Sequence, residues 1–177
     1  MWQISLSGTG GQGLILAGII LAEAAIIDGK QAIQTQSYGP EARGGASKSE
    51  VIISDEEIDY PKATATDIML AMSQEACNKY IGLLKPAGRL IVDTTLVKTV
   101  PAVDAQKLAL PITHIARHEL GNVMVANIVA LGALAGFSGV VGIDSLTKAV
   151  LARVPKGTEE LNKKALETGF VLGQAER

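Results

Sequence analysis

An α/β fold with a Rossmann-like, mainly parallel sheet is predicted from two features of the sequence. Short apolar strands alternate with helices, and a glycine-rich turn joins the first strand to the first helix. A strand over residues 2–6 leads into GTGGQG at residues 8–13, and residues 14–27 carry apolar side chains at helical spacing. A second strand over residues 32–36 completes a βαβ unit, so we expect helices to flank the sheet.

The rest of the chain continues this alternation and then becomes helical. Further strands are predicted over residues 47–54, 67–72, 89–93 and 111–116. They are joined by an acidic surface connection at residues 54–66, a helix over residues 74–84 capped by Ser73, and a turn at residues 85–88. A helical C-terminal segment follows, with helices over residues 123–135, 143–154 and 158–166. No repeat or linker interrupts the sequence, so we expect a single domain over residues 1–177.

The composition argues against several classes of protein. Hydrophobic residues make up 47% of the chain, whereas aromatic residues make up 3%, too few for the stacking platforms of single-stranded nucleic-acid binders. A net charge of −2 without a basic run argues against binding to nucleic-acid phosphates. The apolar segment 124–141 contains Asn127, and we interpret it as a buried helix rather than a membrane span. No signal-peptide pattern opens the sequence, so we expect a cytoplasmic protein.

Residues 8–13, called here the glycine loop, match the pattern G-x-G-x-x-G between a strand and a helix. Amides at such a helix N-terminus favour an anion, and glycine lets a phosphate or another backbone come close. A dinucleotide fold also needs an acidic residue at the end of the second strand. This chain has Thr35-Gln36-Ser37 there, and Asp28 precedes the strand. A phosphate-bearing ligand of another kind, a protein contact, or close helix–sheet packing are the alternatives.

The segment SYGPEARGG at residues 37–45, called here the second loop, is the more specific feature. Its glycines and proline restrict the backbone, while Glu41 and Arg43 supply opposite charges. An arginine flanked by small residues can present its planar guanidinium group to a phosphate or a carboxylate. An internal ion pair between Glu41 and Arg43 is the alternative.

Together with the pattern S-x-S-E-V at residues 47–51, the two loops resemble the gamma subunit of 2-oxoacid:ferredoxin oxidoreductases, most closely the 2-oxoglutarate type. The resemblance covers almost the whole chain. It continues through Asp93, Gly121-Asn122, Ala126-Asn127, Leu131-Gly132, Leu161-Asn162, Ala165 and Gly169. The glycine loop alone is a weak signal, whereas both loops at this separation are a strong one.

The resemblance implies a non-autonomous subunit of an enzyme complex. Such complexes oxidatively decarboxylate a 2-oxo acid to an acyl-coenzyme A and reduce ferredoxin, using thiamine diphosphate, Mg²⁺ and iron–sulfur clusters. The implied partners are alpha and beta subunits and a ferredoxin-like delta subunit, with coenzyme A as a candidate ligand. This chain has no Gly-Asp-Gly thiamine motif, and Cys77 alone cannot hold a cluster. The alternative is a free-standing nucleotide-binding or sensing domain, which requires only the glycine loop.

The candidate cofactor-binding residues all lie in the two loops, and no catalytic residue or metal ligand is predicted. They are Gly8, Gly10, Gly11, Gln12 and Gly13 in the glycine loop, and Glu41, Arg43, Gly44 and Gly45 in the second loop. Amides of the glycine loop would receive a phosphate or a partner's backbone. Arg43 would pair with a phosphate or a partner's carboxylate, and Glu41 would orient Arg43.

Several other polar residues are assigned less specific roles. His114 and His118 are the only histidines, and without a third ligand they do not predict a metal site. Cys77 is predicted to be a buried small hydrophobe rather than a nucleophile. Asp93 is a candidate ligand residue or a turn former, and Asn122 is a candidate helix cap or binding residue.

Overall fold

The computed structural model of the protein describes residues 1–37, 45–60 and 63–177. Within these ranges one sheet holds six strands. They are β1 (Trp2–Thr9), β2 (Gln31–Ser37), β3 (Ala46–Ser54), β4 (Thr66–Ala71), β5 (Leu84–Asp93) and β6 (Ala105–Leu110). The helices of the same ranges are α1 (Leu14–Ile27), α2 (Gln74–Tyr80), α3 (Ile112–His114), α4 (Ala126–Ser138), α5 (Ile143–Arg153) and α6 (Glu159–Ala175).

The strands lie in the order β2-β3-β1-β4-β5-β6. Strand β1 pairs in parallel with β4, β4 with β5, and β5 with β6, whereas β3 is antiparallel to both β1 and β2. The predicted mainly parallel sheet is therefore confirmed, but β3 separates the two strands of the predicted βαβ unit. Because β1, β2, β4 and β5 point the same way, the loops that follow them lie at one edge of the sheet, called here the carboxyl edge.

The helices cover the two faces of the sheet unequally. Helices α1, α4, α5 and α6 contribute to the larger core, which includes Ile4 and Leu6 of β1. Helix α2 packs against the other face through Ala76, Cys77 and Tyr80. Since α1 follows β1 and α2 follows β4, the chain leaves these adjacent strands toward opposite faces. Open α/β sheets bind ligands at the carboxyl edge of such a topological switch point.

Helix α4 is buried over its whole length. It packs closely against α6 because glycines bring the two backbones together. A Cβ atom at Gly132 would lie 2.1 Å from the carbonyl oxygen of Leu166. A Cβ atom at Gly169 would lie 2.0 Å from the carbonyl oxygen of Val129. The interpretation of this segment as a buried helix is confirmed. None of the helices in the described part of the chain has the length and apolar character needed to cross a membrane.

The predicted strand over residues 111–116 is wrong, because this segment is helical. Helix α3 continues directly into a π-helical turn at Ile115–Glu119, and Ile112, Ile115 and Ala116 are buried. These three residues are spaced i, i+3 and i+4, which is the period of a helix, but a short apolar run does not distinguish the two structures by itself.

Four further elements differ from the sequence-based prediction, one of them being α6, which continues to Ala175 beyond the predicted end at residue 166. Edge strand β6 is absent from it, since two of the six residues in AQKLAL are polar and only one of the six is buried. The predicted turn at residues 85–88 lies inside β5, where the pairing register with β4 shifts and Ala87 has a φ of 58°. The helix predicted over residues 74–84 is shorter in the structure, because α2 ends at Tyr80 and a 3₁₀ turn follows at Ile81–Leu83. The predicted cap of α2 is confirmed, since Ser73 Oγ accepts a hydrogen bond of 3.2 Å from the Ala76 amide.

Candidate functional site

The side chain of Gln12 holds the glycine loop at the carboxyl edge. Its Oε1 accepts a hydrogen bond of 2.7 Å from the Thr9 amide, and its Nε2 donates one of 2.9 Å to the carbonyl oxygen of Met72. Gly8 leaves room for this arrangement, because a Cβ atom there would lie 2.2 Å from Gln12 Oε1 and 2.6 Å from Leu14 Cδ1. Packing within the chain thus accounts for Gly8 and Gln12.

Gly13 joins the glycine loop to helix α4. It has a φ of 74°, in the left-handed region that favours glycine. Its carbonyl oxygen accepts hydrogen bonds from the Ala17 amide at 3.0 Å and from Asn127 Nδ2 at 3.2 Å. A Cβ atom at Gly13 would lie 2.6 Å from Asn127 Nδ2, so this glycine is also explained from inside the fold.

Gly10 and Gly11 differ from these two glycines because no heavy atom of the described residues lies within 4 Å of their Cβ positions. Gly11 has a φ of 91°, so its conformation favours glycine. Gly10 is not among the residues with positive φ, and neither conformation nor packing requires glycine there. Among the residues that the structure describes, the amides of Gly10 and Gly11 donate to no oxygen. Since these two amides have no acceptor among the described residues, they are candidates for binding an anion or another backbone.

The geometry does not favour the alternative of a nucleotide-binding domain of the dinucleotide type. The bond from Gln12 to Met72 crosses the switch point between β1 and β4, where such a domain holds a pyrophosphate. Asp28 lies at the other end of α1, and its carboxylate accepts hydrogen bonds from the Gly142 amide at 2.7 Å and from the Ser145 hydroxyl. Asp28 therefore anchors the start of α5 and does not face the glycine loop.

The second loop begins and ends at the same carboxyl edge. Ser37 closes β2, and Ala46, the first residue of β3, pairs with Thr9 beside the glycine loop. Gly45 is half-buried at this position, whereas the candidate residues Glu41, Arg43 and Gly44 lie outside the described residues. The structure therefore brings the ends of both loops together, and the roles of these candidates stay predictions.

The S-x-S-E-V pattern that follows the second loop has internal roles. Ser49 Oγ accepts a hydrogen bond of 2.9 Å from Gln34 Nε2, and Gly18 of α1 lies so close that a Cβ atom there would be 2.0 Å from Ser49 Oγ. On the opposite face of β3, Glu50 forms an ion pair of 2.7 Å with Lys48. The contacts of Ser49 thus hold α1 and β2 against β3 beneath the two loops.

A cavity of about 470 Å³ opens beside the glycine loop. Its walls include Gly11 and Gly13, the 3₁₀ turn Val123–Val125, the start of α4 and the start of α6. Most of the lining is apolar, and Arg117 carries the only charge among the described lining residues. Sequence reasoning missed this cavity. Asn127 was a usable signal, because it is a lone amide within the apolar segment that forms α4.

The other polar candidates have structural roles. Asp93 is fully buried, and its carboxylate accepts hydrogen bonds from the Thr95 amide at 3.0 Å and from the amide and hydroxyl of Thr113, as expected of a turn former. Asn122 caps the following turn by accepting a 2.9 Å bond from the Met124 amide. Cys77 is buried, and burial raises the pKa of its thiol, so the thiolate is disfavoured at neutral pH.

The polar side chains of the described residues form no metal-binding group. Histidine, cysteine and carboxylate side chains in this part of the chain form no group of three or more that could hold a metal ion. His114 and His118 lie side by side on exposed positions, with ring centroids 4.6 Å apart. Within the described residues, the carboxyl edge presents two backbone amides without an acceptor next to an apolar cavity.

Comparisons with known proteins agree with this picture. Residues 3–172 match the profile of the family described as pyruvate ferredoxin/flavodoxin oxidoreductase. The 2-oxoglutarate synthase subunit KorC of Methanocaldococcus jannaschii is 53% identical over 175 residues, which cover 97% of this chain and 94% of that protein. The crystal structure of the gamma subunit of a keto/oxoacid ferredoxin oxidoreductase from Geobacter sulfurreducens superposes with a TM-score of 0.90 at 53% identity, covering 99% of both chains.

One relative is much longer than this chain. The ketoisovalerate oxidoreductase subunit VorA of Methanothermobacter marburgensis is 30% identical over 142 residues. The match covers 80% of this chain but only 29% of that protein. The fold described here therefore forms one part of a larger polypeptide in that relative.

Proposed function

Because the chain belongs to the pyruvate ferredoxin/flavodoxin oxidoreductase family, we propose that it is the gamma subunit of a 2-oxoglutarate:ferredoxin oxidoreductase. One observation carries the choice of 2-oxoglutarate: a 2-oxoglutarate synthase subunit is 53% identical over 97% of this chain. The proposed complex oxidatively decarboxylates its 2-oxo acid, forms an acyl-coenzyme A and reduces ferredoxin. It works in the cytoplasm with alpha, beta and ferredoxin-like delta subunits.

The proposed role of this chain is to support the complex through the carboxyl edge of the chain's own sheet. Thiamine diphosphate with Mg²⁺ and the iron–sulfur clusters supply the carbon and electron chemistry from the partner subunits. The open amides of Gly10 and Gly11 are suited to a phosphate oxygen of coenzyme A or to a backbone carbonyl of a partner. In either case the chain binds and orients, and the reacting bonds lie elsewhere.

Purification of the tagged chain from its native source tests the proposal. We expect it to co-purify with partner subunits and with coenzyme A-dependent reduction of ferredoxin by 2-oxoglutarate. Pyruvate and branched-chain 2-oxo acids, tested at the same concentration, should give lower rates. Recovery of the chain alone would refute its role as a subunit. Recovery of a complex that prefers pyruvate would refute the choice of 2-oxoglutarate as substrate.

The role of the second loop is tested with two substitutions of one residue. In the assembled complex, Arg43→Ala should raise the KM for coenzyme A if the guanidinium group binds a phosphate, and Arg43→Lys should restore part of the loss. If Arg43 instead pairs with a partner's carboxylate, Arg43→Ala lowers the yield of complex while the KM of the surviving complex stays the same.

A further inference from the structure

Three large aliphatic side chains at the mouth of the cavity beside the glycine loop are exposed to solvent. Met124 is 73% exposed, and Val123 and Leu96 are each 40% exposed. All three line the same cavity, although Leu96 follows β5 and the other two precede α4. Single exposed hydrophobic residues are common on protein surfaces, but several around one opening mark an interaction site. These three residues are called here the apolar rim.

We infer that the apolar rim and its cavity form the docking surface for a protein partner that inserts an apolar side chain into the cavity. This inference rests on the proposed function, because the partner is the subunit that corresponds to the rest of a longer relative. In the VorA subunit this fold is only 29% of the polypeptide, so most of that chain is joined covalently to a domain of this kind. The rest of the VorA chain is therefore the kind of protein that the apolar rim is proposed to contact.

The shape and chemistry of the surface favour a protein over a small molecule. A small ligand is enclosed by the walls of its pocket, which bury most of its surface. The rim residues lie outside such an enclosure, since most of the Met124 side chain projects into solvent. A protein surface can cover the rim and fill the cavity at once, as an anchor residue does in a protein–protein interface. Methionine and other apolar residues with few charges are typical of the centre of such interfaces.

The charge distribution limits the chemistry of the inserted group. The cavity holds polar groups from Asn127, Thr158 and Asn162, and Arg117 is its only charged residue among those described. A lysine or arginine side chain would meet a cation without a compensating carboxylate in the described lining. An aliphatic or aromatic side chain, with a neutral or acidic neighbour facing Arg117, fits the cavity best.

The test replaces the rim while leaving the fold intact. The double variant Leu96→Glu, Met124→Glu changes two exposed side chains, so its melting temperature in isolation should stay close to that of the unmodified chain. The matched control is Ile26→Glu, Val171→Glu, which changes two aliphatic side chains that are 57% and 63% exposed and lie outside the cavity lining. Each tagged chain is co-expressed with the partner subunits, and the recovered complex is quantified by native mass spectrometry.

We expect the rim variant to bind the partner subunits at least about tenfold more weakly, because it lacks an interface anchor. The control should assemble like the unmodified chain.

Equal assembly of rim variant and control would overturn the inference. So would normal assembly with a raised KM for coenzyme A, which would assign the cavity to a small ligand. Loss of self-association of the isolated chain, measured by sedimentation, without loss of partner binding would assign the rim to a second copy. If the unmodified chain itself recruits no partner subunit, the proposed function fails rather than the location of the surface.

Discussion

The Nε2 atom of Gln12 donates a hydrogen bond of 2.9 Å to the carbonyl oxygen of Met72, joining the loop after β1 to the end of β4. These two strands are neighbours at the switch point of the sheet. The glutamine side chain therefore crosses the crevice at which dinucleotide folds bind their ligand. One glycine-rich sequence pattern thus serves a different purpose here. It allows a side chain to span the crevice, and it contains two amides, those of Gly10 and Gly11, that have no acceptor among the described residues.

Removing this side chain should loosen the glycine loop. We expect Gln12→Ala to lower the free energy of unfolding by roughly 1–2 kcal/mol, because the Thr9 amide and the Met72 carbonyl each lose a hydrogen-bond partner. Urea unfolding followed by circular dichroism measures the loss. Gln174→Ala, at an exposed position in α6, is the control and should change stability by less than about 0.5 kcal/mol. Similar values for both variants would mean that the Gln12 bonds contribute nothing.

The contact between α4 and α6 should not tolerate a single added methyl group. A Cβ atom at position 169 would lie 2.0 Å from the Val129 carbonyl oxygen, so Gly169→Ala should destabilise the chain by at least about 2 kcal/mol even though alanine favours helices. Gly82→Ala is the matched control, since its Cβ position meets no atom within 4 Å. Thermal unfolding of the two variants compares them directly, and equal melting temperatures would show that the helices are not in such close contact.

Substitution of Gly10 should weaken binding without lowering the stability of the fold. Because its Cβ position is open and its φ is not positive, Gly10→Ala should leave the free energy of unfolding within about 0.5 kcal/mol of the unmodified value. In the complex, the methyl group would stand where a phosphate or a partner's backbone approaches. We expect about a tenfold rise in the KM for coenzyme A or about tenfold weaker assembly, the cost of one lost hydrogen bond. No change in either quantity would remove Gly10 from the site.

The thiol of Cys77 should be protected in the folded chain. Burial raises its pKa, so at neutral pH the thiolate that reacts with disulfide reagents is scarce as well as inaccessible. We expect reaction with Ellman's reagent to be slow in buffer and complete within the mixing time in urea. Rapid modification of the native chain, with its circular dichroism spectrum unchanged, would show that the side chain is exposed.

The sequence predicts most of the fold because most elements carry a local signal. Helix α1 has the predicted bounds, with Gly13 before it and Gly29 after it in left-handed conformations. The exceptions depend on the tertiary structure. Strand β6 lies at the edge of the sheet and is only partly buried, so it lacks the continuous apolar run of the inner strands. The apolar residues within 111–116 fit a strand or a helix until their packing is known. The antiparallel position of β3 between β1 and β2 also has no local signal.

The candidate site was predicted only in part, for the same reason. A glycine pattern locates a loop but does not distinguish a glycine that packs internally from one that faces outward. Gly8 and Gly13 proved to be of the first kind, and Gly10 and Gly11 of the second. The cavity is lined by residues that are distant in the sequence, such as Leu96 and Met124. No short sequence pattern predicts a surface of this kind.

Reconstitution of the complex with and without this chain tests the central claim most directly. Partner subunits loaded with their cofactors are mixed with the purified chain, and 2-oxoglutarate-dependent reduction of ferredoxin is followed at saturating coenzyme A. The account predicts that the rate rises with added chain until a fixed stoichiometry is reached and stays near background without it. The same full rate in the absence of the chain would contradict the claim that it is a subunit of this enzyme.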